Sequence, residues 1–155
     1  MSQLIILCGI PGSGKSTWTS KNLKNGYWVS RDKIRYALLN PGEDYFSREN
    51  DVFNNFVHII VEHLKNNEDV IADATHINKA GRLKLINAIN RCIDDNNYEK
   101  SCIVFDTPLK ECLRRNATRS GVERVPDNVI RRMFYQTSRP EADGINYNSI
   151  TYIKE

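Results

Sequence analysis

The 155-residue sequence predicts an α/β fold, a three-layer sandwich in which a parallel sheet of about five strands carries helices on both faces. Three observations lead there. Short apolar runs alternate with helix-period patterns along the chain, the pattern of successive βαβ units. The first run, Leu4-Ile5-Ile6-Leu7-Cys8, opens directly into Gly9-Ile-Pro-Gly-Ser-Gly-Lys-Ser16, the spacing G-x-x-x-x-G-K-[ST] of a phosphate-binding loop set between strand and helix. Polar residues then fall at the carboxyl ends of the later runs, where open α/β sheets bind ligands. The class is P-loop NTPase-type, completed by an arginine-bearing lid.

The first strand reads Gln3–Cys8, and the helix after the loop continues from Ser16 to Lys21 until the Asn22–Gly26 region breaks it. Gly26–Ser30 is the second strand, followed by a short helix, Asp32–Leu39. The clearest helix is Ser47–Lys65: Val52, Phe53, Phe56, Val57, Ile60, Val61 and Leu64 recur at helical spacing, Ser47 can cap it, and its aromatics belong to the core. Asp69–Asp73 is the third strand, and a helix from about Asn78 to Asp94 buries Leu83, Ile86, Ile89 and Ile93. Lys100–Asp106 is the fourth strand. A helix from Pro108 to about Thr118 leads to a polar loop, Arg119–Val125, and a last helix begins near Pro126 and ends before Pro140. Pro140–Ser149 reads as loop and Ser149–Ile153 as a weak fifth strand. With no repeat or low-complexity tract, residues 1–155 form a single domain, long enough to bury a full core.

Four cysteines, Cys8, Cys92, Cys102 and Cys112, show no metal-like spacing, and three lie in apolar stretches, which suits reduced thiols in a cytoplasm. The Met1 end enters a strand without a charged leader, and no apolar run approaches the roughly 18 residues needed to span a bilayer, so a soluble cytoplasmic protein with no membrane partner is expected. The net charge of +3 is too small to argue for nucleic acid by itself. Its distribution is more telling: Lys110–Arg139 holds Lys110, Arg114, Arg115, Arg119, Arg124, Arg131, Arg132 and Arg139 against Glu111, Glu123 and Asp127. Guanidinium forks suit phosphate oxygens, although a solvated helix face gives the same pattern.

Gly9, Pro11, Gly12, Ser13, Gly14, Lys15, Ser16 and Thr17 supply the nucleotide loop: glycines let backbone N–H groups converge on phosphates, Lys15 reaches the β- and γ-phosphates, and Ser16 ligates Mg²⁺. ATP, or another NTP, with Mg²⁺ is the expected cofactor pair. Asp32 and Arg35 are three apart at a helix start and can face the same side, an arrangement that could hold an acceptor hydroxyl, take its proton and neutralise the moving phosphoryl. The alternative is that Asp32 merely caps its helix. Asp73 ends a buried strand where P-loop proteins commonly hold Mg²⁺, or else caps the following turn, and Thr75 and His76 stand where an acceptor could be touched. His58 and His63 read as surface residues. Arg115 and Arg119 share a helix face just before the polar loop and, with Arg124 beyond it, form a lid over the triphosphate, Arg119 foremost.

Taken in order, Gly12-Ser13-Gly14-Lys15-Ser16-Thr17-Trp18, Ser30-Arg31-Asp32-x-x-Arg35, Asp73-x-Thr75 and Arg115-Asn116-x-x-Arg119 through Val125-Pro126 resemble the polynucleotide 5′-hydroxyl kinase family over nearly the whole chain. The resemblance implies Lys15 and Ser16 on phosphate and metal, Asp32 as general base to the 5′-OH, Arg35 on the acceptor side of the reacting phosphoryl, and Arg119 with Arg115 as lid arginines. It implies transfer of the γ-phosphate of ATP to 5′ ends of DNA or RNA. The chain lacks the Asp-x-Asp-x-Thr signature of members with a phosphatase domain, which implies a kinase-only chain with any phosphatase or ligase on a separate partner. It also has His76 where the family usually offers Asn, and Ala74 where some members have Asp. The sequence therefore reads first as a polynucleotide 5′-hydroxyl kinase, second as a small-molecule P-loop kinase acting on a nucleoside, sugar or antibiotic hydroxyl, and third as a regulatory nucleotide binder, against which Asp32 argues.

Overall fold

The computed structural model describes residues 1–154. Strands β1 (Ser2–Cys8), β2 (Tyr27–Ser30), β3 (Val70–Asp73), β4 (Tyr98–Asp106) and β5 (Ser149–Lys154) form one sheet in the order β2-β3-β1-β4-β5, every neighbouring pair parallel. Helices α1 (Lys15–Asn22), α2 (Arg31–Leu38), α3 (Glu49–Lys65), α4 (Lys79–Asn90), α5 (Leu109–Ala117) and α6 (Asp127–Tyr135) link them.

Period-two alternation sends each strand into two layers. Leu4, Ile6 and Cys8 of β1, Val70 and Ala72 of β3 and Cys102 of β4 meet Phe56, Ile60, Val61 and Leu64 of α3 and Leu85, Ile86 and Ile89 of α4. Leu7, Ile71 and Phe105 turn the other way, against Trp18 of α1 and Leu23. A third cluster, Ile10, Cys112 and Ile130, pins α5 and α6 to the loop after β1. Each such side chain contributes about 1.5–3 kcal/mol on burial.

The register sets up the site. Leu7 of β1 and Ser30 of β2 both pair with Asp73 of β3, so three neighbouring strands end on one line. With β1 flanked by β3 and β4, the loop leaving it opens into the crevice where strand order reverses.

Four local expectations are corrected. Ser47 does not cap α3: its hydroxyl donates to Asp44 O at 2.7 Å, Arg48 stands at the cap position, and Glu49 and Asp51 place negative charge in the first turn instead. Helix α4 stops at Asn90, a 3₁₀ turn (Asp95–Asn97) follows, and β4 begins at Tyr98. Its inner face is Arg82, Leu85, Ile86, Ala88 and Ile89, while Leu83 and Ile93 are only partly buried. The helix is turned because the Arg82 guanidinium is fully buried, donating to both Asp143 carboxylate oxygens (2.6 and 2.9 Å), His76 O (2.9 Å) and Ser138 O (3.0 Å). Asp143, in a stretch read as plain loop, supplies the counter-charge that a buried guanidinium requires. All four cysteines are free, with only Cys92 exposed. No helix among the described residues is long and apolar enough to cross a membrane.

Candidate active site

The crevice is a cleft of about 650 Å³. At one end lies the loop between β1 and α1. Gly12 (φ 84°) and Gly14 (φ 104°) take left-handed conformations, and a Cβ at Gly12 would come within 2.6 Å of Cys112 O, so glycine is required by both torsion and packing. Gly14 caps α1 without any side-chain acceptor, which leaves the first-turn N–H groups aimed into the cleft as an anion site. The Lys15 ammonium donates to Gly9 O (2.6 Å) and Ile10 O (3.3 Å), and burial lowers its pKa while the carboxylates of Asp73 and Asp32 counteract. Ser16 and Thr17 present exposed hydroxyls beside it. Thr107, just beyond β4, donates from its hydroxyl to Ser13 O at 2.8 Å, and Gly9 N donates to Thr75 O at 2.8 Å, so neighbouring strand ends brace the loop. Gly9 is thus a bracing residue, outside the cleft lining formed by Pro11 to Thr17.

At the other end stands Asp32. Ser30, not Asp32, caps α2, its side chain accepting from Lys33 N at 3.2 Å, so the capping alternative for Asp32 falls. The Asp32 carboxylate is 61% exposed, and its Oδ1 accepts from Arg35 Nη1 (2.5 Å) and the Tyr45 hydroxyl (3.2 Å). Arg35, only 7% exposed, is gripped by Glu49 through Nε and Nη2 (2.5 and 3.0 Å), and its guanidinium lies against the Tyr45 and Phe46 rings. Arg31 donates to the same Glu49 at 3.1 Å. Burial disfavours the Arg35 charge, but Glu49, Tyr45 and Asp32 together outweigh it and raise the pKa. Burial also raises the Tyr45 phenol, with help from the Asp32 charge, so Tyr45 stays a donor to Asp32.

Asp73 lies between the two ends. Its Oδ2 accepts from Trp28 Nε1 at 2.9 Å; burial raises its pKa and the Lys15 ammonium lowers it. Thr75 lines the cleft. His76 does not: it takes φ 41°, is buried, and donates through Nδ1 to Leu7 O at 2.8 Å, so it braces β1 and does not stand at the cleft surface as its position suggested. Burial lowers its pKa to about 4.

Over the cleft, α5 carries Arg115, which donates to Gly12 O (3.2 Å) and Glu111 (3.1 Å), and Arg119 projects just after the helix. Asn116, fully buried, staples the lid: its amide donates to Val125 O (2.6 Å) and its carbonyl accepts from Val125 N (3.0 Å). The segment between contains a 3₁₀ turn, Gly121–Glu123. Arg124 lies outside the main cleft. Glu49, Tyr45, Phe46 and Met133 were not legible as site residues. Glu49 is 14 positions from Arg35, and only the need of a buried guanidinium for a counter-charge hinted at such a partner.

Residues 4–140 match the AAA domain family. A curated relative, the L-seryl-tRNA(Sec) kinase of Methanococcus maripaludis, is 33% identical over 147 residues, covering 88% of this chain and 53% of its own length. The chain thus spans about half the length of that relative. Among solved structures, a chain of the Pnkp1/Rnl/Hen1 RNA repair complex superposes with a TM-score of 0.68 at 26% identity, over 87% of this chain and 43% of that one. A fungal RNA kinase, at 12% identity and TM-score 0.63 over 99% of this chain and 74% of its own, shares the fold. With the loop, the sheet order and the lid of a P-loop kinase fold in place, this chain belongs to the AAA domain family.

Proposed function

We propose that the protein is an ATP-dependent polynucleotide 5′-hydroxyl kinase. The observation that carries the reading is the shape of the acceptor end. The carboxylate Asp32, fixed by Arg35 and Tyr45, shares the cleft with the phosphate loop, and the cleft lining also includes the rings of Tyr36, Tyr45 and Phe46 and the apolar Val125 and Met133. Aromatic rings near a proton acceptor suit a nucleobase with its 5′-OH at Asp32. Likeness to the RNA repair complex chain supports the same choice.

Here the phosphate loop and Lys15 hold the β- and γ-phosphates in line with the hydroxyl. Asp32 orients that hydroxyl and accepts its proton, Arg35 faces the reacting phosphoryl from the acceptor side, and Arg119 with Arg115 closes over it, excluding water. Ser16 and Asp73 suit Mg²⁺, which takes one or two protein oxygens and completes its shell with phosphates and water; Asp73 spends one oxygen on Trp28, and among the described residues no hydrogen bond takes the other. When bound, the ion would neutralise phosphate charge. Thr75 lines the acceptor side. The free cysteines suit a cytoplasmic setting.

A second reading has a specific ground: the curated relative is named as an L-seryl-tRNA(Sec) kinase, so an acceptor carried on an aminoacylated RNA, or a small molecule, is the competitor. The test is transfer from γ-labelled ATP with Mg²⁺ to 5′-OH RNA and DNA oligonucleotides, seryl-tRNA, nucleosides and sugars. Label on oligonucleotide 5′ ends, abolished by Lys15→Ala, is expected. Label confined to seryl-tRNA or a small hydroxyl compound overturns the polynucleotide reading and leaves a P-loop kinase of another acceptor.

A further inference from the structure

We infer that the last turn of α6 is a track for the acceptor strand beyond its terminal nucleotide, a single-stranded nucleic-acid surface built on Phe134, Tyr135 and Arg131. The inference rests on the polynucleotide reading above and extends it from the reacting end to the strand that follows.

Two neighbouring aromatics stand in solvent here, Phe134 at 38% exposure and Tyr135 at 78%. They pack edge to face, centroids 5.4 Å apart at 86°, and Tyr135 keeps most of its surface in solvent. Arg131 lies three residues before Phe134 and four before Tyr135, hence on the same side of the helix. Arg131 and Arg132 are exposed and enter no ion pair among the described residues. Arg139 lies over the Tyr152 ring at 5.2 Å, and the nearby Glu141 is engaged by the Tyr152 hydroxyl. Other exposed aromatics are differently placed: Tyr27 is stacked on His63 at 3.9 Å, and Phe46 belongs to the cleft.

Position connects the patch to the reaction. Met133, one residue before Phe134, lines the cleft. Ser138, just beyond the helix, donates to Ile77 O (2.9 Å) and accepts from Lys79 N (3.1 Å), tying this end of α6 to the segment after β3 that carries Thr75. A strand whose 5′ nucleotide lies in the cleft and that leaves it past Met133 crosses this turn. Exposed rings beside unpaired guanidinium groups are what such a strand binds, bases on rings and phosphates on cations, whatever the base sequence.

The test is the KM for 5′-OH acceptors of increasing length, from a nucleoside 3′-monophosphate to an octamer, with intact wild-type protein and with Tyr135→Ala, Tyr135→Phe and Arg131→Ala. For the wild type KM should fall about fivefold or more with length, since one stacked base is worth at least that factor. Tyr135→Ala should abolish most of the fall and leave kcat and the mononucleotide KM unchanged, Tyr135→Phe should keep it, and Arg131→Ala should reduce the slope of log KM against log salt by about 0.7. A length-independent wild-type KM, or a Tyr135→Ala variant that still tightens with length, overturns the inference alone. Sedimentation velocity that shows Tyr135→Ala dissociating a dimer, with length dependence intact, overturns it in favour of a second copy on the patch. Failure of any nucleotide of any length to accept phosphate overturns the polynucleotide reading as well.

Discussion

At Asp32 one carboxylate oxygen takes donors from Arg35 and Tyr45, while most of the group remains open to the cleft. Because Ser30 performs the capping, Asp32→Asn should fold normally and lose about 10²- to 10⁴-fold in kcat, the usual loss for a general base. Steady-state kinetics beside a thermal melt checks this, and near-normal turnover would remove Asp32 from the proton-accepting role. Glu49 acts through Arg35. Burial pulls the Glu49 carboxyl up, but the hydrogen bonds and charge of Arg35, with Arg31, pull harder and leave it below its ordinary pKa. Glu49→Gln should therefore cost about 2 kcal/mol of stability, short of the 3–5 kcal/mol for a fully buried pair because Glu49 keeps 27% exposure. It should also lower kcat by freeing Arg35. Denaturant midpoints and kinetics on one preparation test both; an unaltered kcat would mean that Arg35 needs no clamp. Asp32 and Arg35 could be read from a three-residue helical spacing. Their clamp could not, because it closes between two helices.

At the scale of elements, Asn116 staples the lid. Asn116 satisfies both backbone groups of Val125 and thereby ties the end of α5 to the start of α6 across the arginine-bearing segment. In Asn116→Ala those groups lose their partner, a loss of about 1–3 kcal/mol that falls on the lid and not the sheet. The expected outcome is faster proteolytic cleavage within 118–125, a higher KM for ATP and little change in global melting. Equal loss of global stability would instead make Asn116 part of the core. The strands and helices were legible from periodicity, including the weak last strand, because the apolar residues that define the period are those the sheet buries. The inner face of α4 was misread because apolar spacing cannot reveal a buried arginine whose partner, Asp143, is 61 residues away.

For the whole molecule, protonation reports how strand ends are locked together. His76 is held neutral between β1 and β3, its pKa lowered by burial to about 4. The unfolded chain takes up this proton near pH 6.5 and the native state declines it until about pH 4, so stability is full above 6.5 and falls as the pH drops between these values. The loss is on the order of 3 kcal/mol. Glu49, whose folded pKa is lowered, adds its share further down, as the pH falls through its folded value. His76→Asn, with a side chain that tolerates positive φ, should flatten the slope between pH 6.5 and 4 in urea titrations at several pH values. An unchanged slope would assign acid sensitivity to other groups.

The sequence by itself determined the sheet-and-helix alternation and the glycine-rich loop between first strand and helix, because each follows from contacts within a few residues: strand alternation, glycine torsions, helical spacing. Only the tertiary structure decided which way Asp32 is held, that His76 braces the sheet instead of facing the cleft, and that Arg82 and Asp143 share the core. Those outcomes depend on charge and hydrogen-bond partners far apart in the chain, and burial makes such partners obligatory without marking them in the local pattern.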